Sequence, residues 1–180
     1  GFYPAIYDRD IPSNVFYSNY IQTYVERDLT DLLSVKDLRL FRNFIGLCAA
    51  RVGQTLNLNN LASECGISQP TAKSWLTVLE NSYIAFQLQP YHTNINKRIT
   101  KTPKLYFHDT GLLCFLLKIK DPKAVRMSRH KGNIFENFVI AEFYKKNYHK
   151  NFLRDLWFWR DAAEHEIDLI WQDDEALNLI

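Results

Sequence analysis

One stretch restricts the fold more than any other: LNLNNLASECGISQPTAKSWLTVLENSYIAFQLQPY, residues 56–91. An apolar pattern from Leu58 predicts a short helix, and Gly66 after it can take the positive φ of a tight turn. Ser68 is a favourable N-cap, and Pro70 lies in the first helical turn, where its missing N–H costs nothing. The next apolar stripe has helical spacing: Ala72, Trp75, Leu76 and Leu79. The stretch therefore predicts a helix-turn-helix.

Two β-rich runs follow this unit, YIAFQLQPY and LYFHD, with the basic loop HTNINKRITKTPK between them. Two strands around a basic loop, placed after a helix-turn-helix, predict a winged helix over residues 39–108. Its second helix would expose polar side chains of the types that reach base edges: Gln69, Thr71, Lys73, Ser74 and Thr77. The loop would add four cations that can bind phosphates: Lys97, Arg98, Lys101 and Lys104.

The same features leave a second function open. The net charge is only +2, so composition alone does not argue for nucleic acid. The second helix has a single lysine and ends near Glu80, and many winged helices dock proteins instead. Aromatic residues make up 14% of the chain and are enriched at protein interfaces. The expected partners are thus DNA or, alternatively, another protein surface, including a second copy of the chain.

The N-terminal part predicts two helices, over residues 12–33 and 37–53. The three cysteines are scattered without metal-ligand spacing, which is typical of reduced, buried thiols in a cytoplasmic protein. No apolar run approaches the roughly 20 residues that a membrane span requires, so we expect no membrane partner. The first residues also lack a signal-peptide pattern and an initiator Met, which predicts a fragment of a longer protein.

From about residue 109 the pattern changes to helices followed by strands. TGLLCFLLKI predicts a helix capped by Asp109 or Thr110, and GNIFENFVIAEFYKKN predicts a longer helix. That longer helix is apolar most of the way round, so we expect it to be largely enclosed. LWFWRD, EHEIDLIW and ALNLI predict three strands, with a hairpin turn at QDDE. The whole chain is therefore predicted to be a mixed α/β protein.

Acidic residues lie in these apolar elements, where an unpaired carboxylate costs several kcal/mol. Glu136 and Glu142 lie in the long helix. In the strand EHEIDLIW, alternation places Glu166, Asp168 and Ile170 on one face and His165, Ile167, Leu169 and Trp171 on the other. A divalent cation would relieve this charge. Ion pairs would do so as well, with Arg160, Lys131 or Arg154 as the candidate cations.

A set of motifs runs in order through the chain: GFYPAIY, YVERDL, the helix-turn-helix stretch, KRITKTPKLYFHDTGLLCFLL, GNIFENFVIAE and FWRDAAEHEIDLI. Together they resemble the C-terminal half of a bacterial and archaeal family of AAA+-type P-loop ATPases, which carries a conserved domain of unknown function. The resemblance implies three regions: a helical segment over residues 1–38 leading from the ATPase domain, the winged helix over 39–108, and a nuclease-like domain over 109–180.

The resemblance also implies chemistry. The last region is similar to the PD-(D/E)xK nucleases, and it is truncated, because the ExK element should follow Ile180. Glu136 matches the helical Glu of that pattern and Asp168 the strand Asp, as catalytic residues and as ligands for Mg²⁺ or Mn²⁺. ATP would be bound by an ATPase domain upstream of Gly1. Without the ExK lysine, we expect this chain to cleave DNA poorly, so enzymatic activity stays open.

Overall fold

The computed structural model describes residues 1–23, 38–92, 102–149, 155–161, 163–173 and 176–180. It begins with a short helix that the sequence analysis did not predict, α1 (Pro4–Asp8), followed by α2 (Ser13–Tyr20). The helix predicted over 12–33 is thus present from Ser13 to Tyr20, while residues 24–33 lie outside the described part. Tyr17 of α2 is buried and packs edge-on against Phe16.

Three helices then form a compact unit: α3 (Leu38–Ala50), α4 (Leu58–Cys65) and α5 (Gln69–Asn81). Gly66 ends α4 with a φ of 73°, and the Ser68 hydroxyl accepts a hydrogen bond from Thr71 N–H at the start of α5. Trp75 packs edge-on against Phe41 and Phe44 of α3, so its ring fixes α5 on that helix. These helices agree with the predicted helix-turn-helix pattern.

Within the described residues, five strands form one mixed sheet in the order β2-β1-β3-β4-β5. The strands are β1 (Ala85–Pro90), β2 (Lys104–Phe107), β3 (Leu156–Arg160), β4 (Glu166–Asp173) and β5 (Ala176–Leu179). β1 pairs antiparallel with β2 and parallel with β3, whereas β3–β4 and β4–β5 are antiparallel. The boundary predicted after residue 108 therefore falls between strands of a single sheet.

Helices α6 (Thr110–Leu116), α7 (Pro122–Met127) and α8 (Lys131–His149) connect β2 to β3. Asp109 caps α6 through its carboxylate, as one of the two predicted alternatives requires. The prediction that α8 is largely enclosed is wrong, because Phe135 and Phe138 are 67% and 38% exposed. The helix buries one stripe against the sheet and α6, and its other faces meet solvent: the buried residues are Ile134, Asn137, Ile140 and Ala141.

The described chain combines helices with a mixed sheet, which confirms the predicted α/β class. One hydrophobic core runs from α3 through the sheet to α8. Cys48 and Cys65 are buried free thiols, and Cys114 is half-buried. Among the described residues, each helix is too short or too polar to span a bilayer.

Candidate functional site

The site is built around strand β2, whose sequence is KLYF. Because side chains alternate along a strand, Lys104 and Tyr106 share one face, and Leu105 and Phe107 share the other. All four residues are buried. On its outer edge β2 is bonded to residues 53–56, with Gly53 N–H donating to Leu105 C=O at 2.9 Å. A buried strand thus carries one charged and one phenolic group on the same face.

Asn137 holds α8 against this strand. Its side-chain oxygen accepts from Phe107 N–H at 2.7 Å, and its side-chain nitrogen donates to Phe107 C=O at 3.1 Å. Asn137 is fully buried, so these bonds satisfy groups that water cannot reach. Asn133, one helical turn earlier, donates to Val52 C=O at 2.9 Å. The two amides therefore fix the position of α8 relative to the sheet.

This placement of α8 also determines the position of Glu136, which precedes Asn137 in the helix and lies against β2. Its Oε1 accepts from Tyr106 Oη at 2.5 Å and from Lys104 Nζ at 3.0 Å. A side chain at Gly53, where φ is 72°, would come within 3.3 Å of both Glu136 carboxylate oxygens. The carboxylate is therefore held by two side chains of β2, and it lies so close to the turn at Gly53 that a side chain there would crowd it.

Strand β4 supplies the other acids, Glu166 and Asp168, and it also contains an irregularity that strict alternation did not predict. Trp157 pairs with Ile170 and Trp159 with Ile167, so two steps along β3 match three steps along β4. Such a bulge interrupts the alternation of side chains. As a result Trp171 packs on Phe143 of α8, at 5.2 Å between ring centroids. Trp171 was predicted to lie on the opposite face of β4 from Glu166 and Asp168. This prediction is wrong, because Trp171 contacts Phe143 of α8 and the two acids approach Glu136 of the same helix.

The three carboxylates converge on one ammonium group. Oxygens of Glu136, Glu166 and Asp168 lie within 4.8 Å of one another in the described part of the chain. Lys104 Nζ bonds to Glu136 and Glu166 and lies 3.6 Å from Asp168 Oδ1. We call the three acids together with Lys104 the acidic cluster. Glu136 and Asp168, the pair predicted from sequence, are brought together, and Lys104 lies between them.

The charges explain the protonation of the cluster. Burial alone would lower the pKa of Lys104, but its bond to Glu166 and the charge of Glu136 raise it overall. Partial burial and the neighbouring Glu166 raise the pKa of Asp168, although Lys104 opposes them. Burial and the charge of Glu136 raise the pKa of Tyr106, which stays a neutral donor. Of the cations named in the sequence analysis, Arg160 reaches Glu166 at 3.8 Å, Lys131 is exposed, and Arg154 lies outside the described residues.

The donor set of the cluster matches the predicted Mg²⁺ or Mn²⁺ only in part. Three carboxylates are the hard oxygen ligands that these ions prefer. The position that such an ion would share with all three, however, is taken by the ammonium of Lys104, which is 3% exposed. The residues therefore fit the ion by ligand type but not by space or charge while Lys104 stays in place.

The predicted phosphate contacts need one correction. Lys104 was grouped with the basic loop, but it is buried and bonded to acids, so it cannot meet a phosphate in this conformation. Lys97, Arg98 and Lys101 lie outside the described residues. Of the predicted contact residues on α5, the exposed ones are Gln69, Lys73, Ser74 and Thr77. Thr71 is half-buried, and its hydroxyl bonds to that of Ser68.

A family model described as domain of unknown function DUF8612 matches residues 1–123, which is more than half of the chain. The chain belongs to the DUF8612 family. A second model, domain of unknown function DUF4143, matches residues 131–180. No solved structure matches. The chain is also similar to two curated proteins, "Uncharacterized protein Rv2008c" of Mycobacterium tuberculosis and "Uncharacterized protein Mb2031c" of Mycobacterium bovis.

Each of these relatives is 33% identical over 153 residues, which covers 83% of the chain and 33% of the relative. The chain therefore spans about a third of the length of the curated relatives it matches. Within it, the DUF8612 region supplies Lys104 and Tyr106, and the DUF4143 region supplies all three acids. The cluster is thus shared between the two family regions.

Sequence reasoning missed Lys104, Tyr106 and Asn137 as parts of this site. One signal for Lys104 was present, because lysine is rarely buried unless it is paired. If the apolar run KLYF is buried along its whole length, its first residue, Lys104, requires an acidic partner. Glu142, considered in the same helix, is instead a partly exposed residue that pairs with Lys145 at 2.5 Å.

Proposed function

We propose that the chain is the nucleic-acid-binding C-terminal module of an AAA+-type P-loop ATPase, with a winged helix joined to a PD-(D/E)xK nuclease-like domain. The observation that carries this proposal is the exposed face of α5. Gln69, Lys73, Ser74 and Thr77 point away from the core, while Trp75 fixes the helix from the other side. A helix presented in this way after a glycine turn has the geometry that enters a DNA major groove.

The hairpin supports the same proposal. β1 and β2 are antiparallel, and the connection between them contains Lys97, Arg98 and Lys101. The three cations of this connection would contact phosphates and position the helix without reading sequence. Sequence readout would belong to Gln69 and Ser74, whose side chains both donate and accept hydrogen bonds.

The proposal includes an ATPase because the motifs of the chain resemble those of the AAA+-type family. The curated relatives are about three times as long as the segment that the chain matches, which leaves room in them for such a domain. ATP is then the cofactor of that domain. We assign no hydrolytic step to Glu136 and Asp168, because Lys104 takes the place that a catalytic metal would need.

The proposal is tested by fluorescence anisotropy with a labelled DNA duplex at several salt concentrations. Changing Lys97, Arg98 and Lys101 to Ala should weaken binding at least about tenfold near 100 mM salt and reduce the slope of log K against log salt by about 2–3. The matched control removes three exposed cations elsewhere, in K120A/K123A/R126A. It should change affinity by less than about twofold. Absence of binding at low salt, or equal losses in both triple variants, would refute the proposal.

One observation favours a second function, a protein-docking module that regulates the ATPase and carries a degenerate nuclease fold. Phe135 and Phe138 lie one helical turn apart on α8 and are both exposed, and Phe138 stacks on Phe2. Exposed aromatic residues of this kind are typical of interfaces, and the surface we expect to cover them is the ATPase domain of the same protein. In the full-length protein, F135S/F138S should then change ATP turnover while leaving DNA affinity unaltered.

A further inference from the structure

We propose that the ammonium group of Lys104 is the resident cation of the acidic cluster, that it competes with divalent metal for the same three carboxylates, and that it thereby fastens the DUF8612 region to the DUF4143 region. The inference concerns the cluster alone and does not depend on DNA binding. The first support is geometric. A single Nζ meets carboxylates from two separate elements, α8 and β4, at the point where these elements approach β2.

The second support is the order of burial. The side chain of Lys104 is 3% exposed, whereas those of Glu136, Glu166 and Asp168 are 19%, 24% and 52% exposed. The acids therefore lie between the ammonium and solvent, with Asp168 outermost. The Nζ also lies 5.4 Å from the centre of the Phe158 ring, so an aromatic face borders it. A lysine placed in this way cannot extend its charge to water as surface lysines do.

The third support is the fixed position of Glu136. Tyr106 and Lys104 donate to the same Oε1, and they are two residues apart on one strand. The phenol and the ammonium are thus presented together by β2, and Asn137 sets the height of the helix that carries the acceptor. The carboxylate is arranged to receive this particular strand, which makes the ion pair a feature of the fold rather than of a mobile surface.

A divalent ion and an ammonium compete for these oxygens, so removing the ammonium should admit the metal. The test is a titration of the whole chain with Mn²⁺, in which binding is measured as the loss of the EPR signal of free Mn²⁺. Lys104→Met keeps most of the apolar stem and removes the charge. We expect K104M to bind one Mn²⁺ with a Kd on the order of 1 mM or tighter, and the unaltered protein to bind at least about tenfold more weakly. Mn²⁺ should also raise the melting temperature of K104M more than that of the unaltered protein.

Two controls make the result specific. Lys145→Met removes a lysine that pairs with a different acid of α8, Glu142, and should leave Mn²⁺ affinity at the level of the unaltered protein. K104M/E166Q/D168N keeps one carboxylate and should lose the binding gained in K104M. The inference is overturned if the unaltered protein binds Mn²⁺ as tightly as K104M, if K104M gains no binding, or if the gain survives in the triple variant.

The stability of the same variants tests the fastening role. Removing Lys104 is expected to lower the melting temperature by about 10 °C, because three carboxylates lose their shared cation. K104M/E166Q removes both charges of the closest pair but keeps Glu136 and Asp168, so it should recover part of that loss. It also supplies a folded comparison if K104M alone does not fold. A double variant no more stable than K104M would show that the two charges are not coupled, and would overturn the inference.

Discussion

Asn137→Leu should destabilise the protein strongly, because one buried side chain serves both backbone groups of Phe107. Leu has a similar volume but neither donates nor accepts. Phe107 N–H and C=O, now bonded at 2.7 and 3.1 Å, would lose their partner, and Asn137 and Phe107 are both 0% exposed. Each buried group left unsatisfied costs about 1–3 kcal/mol, so the two cost about 2–6 kcal/mol. The added apolar burial of Leu offsets about 1 kcal/mol.

The net expectation is a loss of about 3 kcal/mol in the free energy of unfolding. Urea unfolding followed by circular dichroism measures it directly, with an unchanged m value as evidence that both proteins unfold similarly. The matched control is Asn59→Leu, which changes an exposed asparagine of α4 and should shift stability by no more than about 0.5 kcal/mol. A loss below about 1 kcal/mol in N137L would refute the role given to the amide, since one unsatisfied group alone should cost that much.

Asn137→Asp distinguishes the hydrogen bonds from simple packing. A protonated Asp can accept from Phe107 N–H and donate to Phe107 C=O, as Asn does, whereas an ionised Asp has no proton to donate and places a charge in a dry site. Its pKa should rise above the unfolded value, so the unfolded state releases the proton first and stability falls as pH rises. N137D should therefore approach the unaltered protein at pH 4 and fall well below it at pH 7. Equal losses at both pH values would indicate that packing, not hydrogen bonding, dominates.

Two further predictions concern stability. Burial, assisted by Lys145, lowers the pKa of His108 from 6.5 to about 4, so the unfolded chain takes up a proton first on acidification and stability falls between pH 6.5 and 4. The free energy of unfolding should fall by about 2 kcal/mol over this range, after allowance for the partial exposure of His108. Urea unfolding at pH 7 and pH 4.5 measures the fall, and H108F should not show it. If H108F and the unaltered protein lose the same stability between these pH values, the role given to His108 is wrong. Gly66→Ala should cost about 1 kcal/mol because of its φ of 73°, although the added Cβ meets nothing within 4 Å. Gly46→Ala, equally open but inside helix α3, should stabilise by about 0.5–1 kcal/mol, and the same sign for both would refute the conformational argument.

The two helices α4 and α5 were predictable because the signals that begin and end them are local. The Asn57 side chain caps α4, Ser68 caps α5 and Asp109 caps α6, each by accepting from the N–H three residues later. Gly66 stops its helix without help from distant residues. Interactions that span three or four residues are written in the order of the sequence, so the pattern and the structure agree there.

The acidic cluster was only partly predictable because its cation is distant in sequence. Lys104 is separated from Glu136 by 32 residues and from Glu166 by 62. Three basic residues precede it within seven positions, which placed it with the predicted phosphate contacts, whereas in space it contacts acids. The apolar composition of α8 led to a different error, because it predicted a helix that is enclosed on most sides. Phe135 and Phe138 fit an enclosed helix by composition, but the sheet covers one side of the helix and leaves them exposed.

The position of Lys104 also determines how binding data on this protein must be interpreted. It ends the connection that carries Lys97, Arg98 and Lys101, and it begins the strand on which α8 rests. In the proposed DNA complex, a cation removed from the connection should affect phosphate contact alone, whereas removal of Lys104 should loosen the acidic cluster and with it the pairing of β1 and β2. Lys104→Ala would thus weaken DNA binding for a structural reason and imitate a contact residue. The two causes separate by stability, because the triple variant at residues 97, 98 and 101 should keep the melting temperature and K104A should not. The salt slope separates them further, since it counts phosphate contacts and is insensitive to the folded fraction.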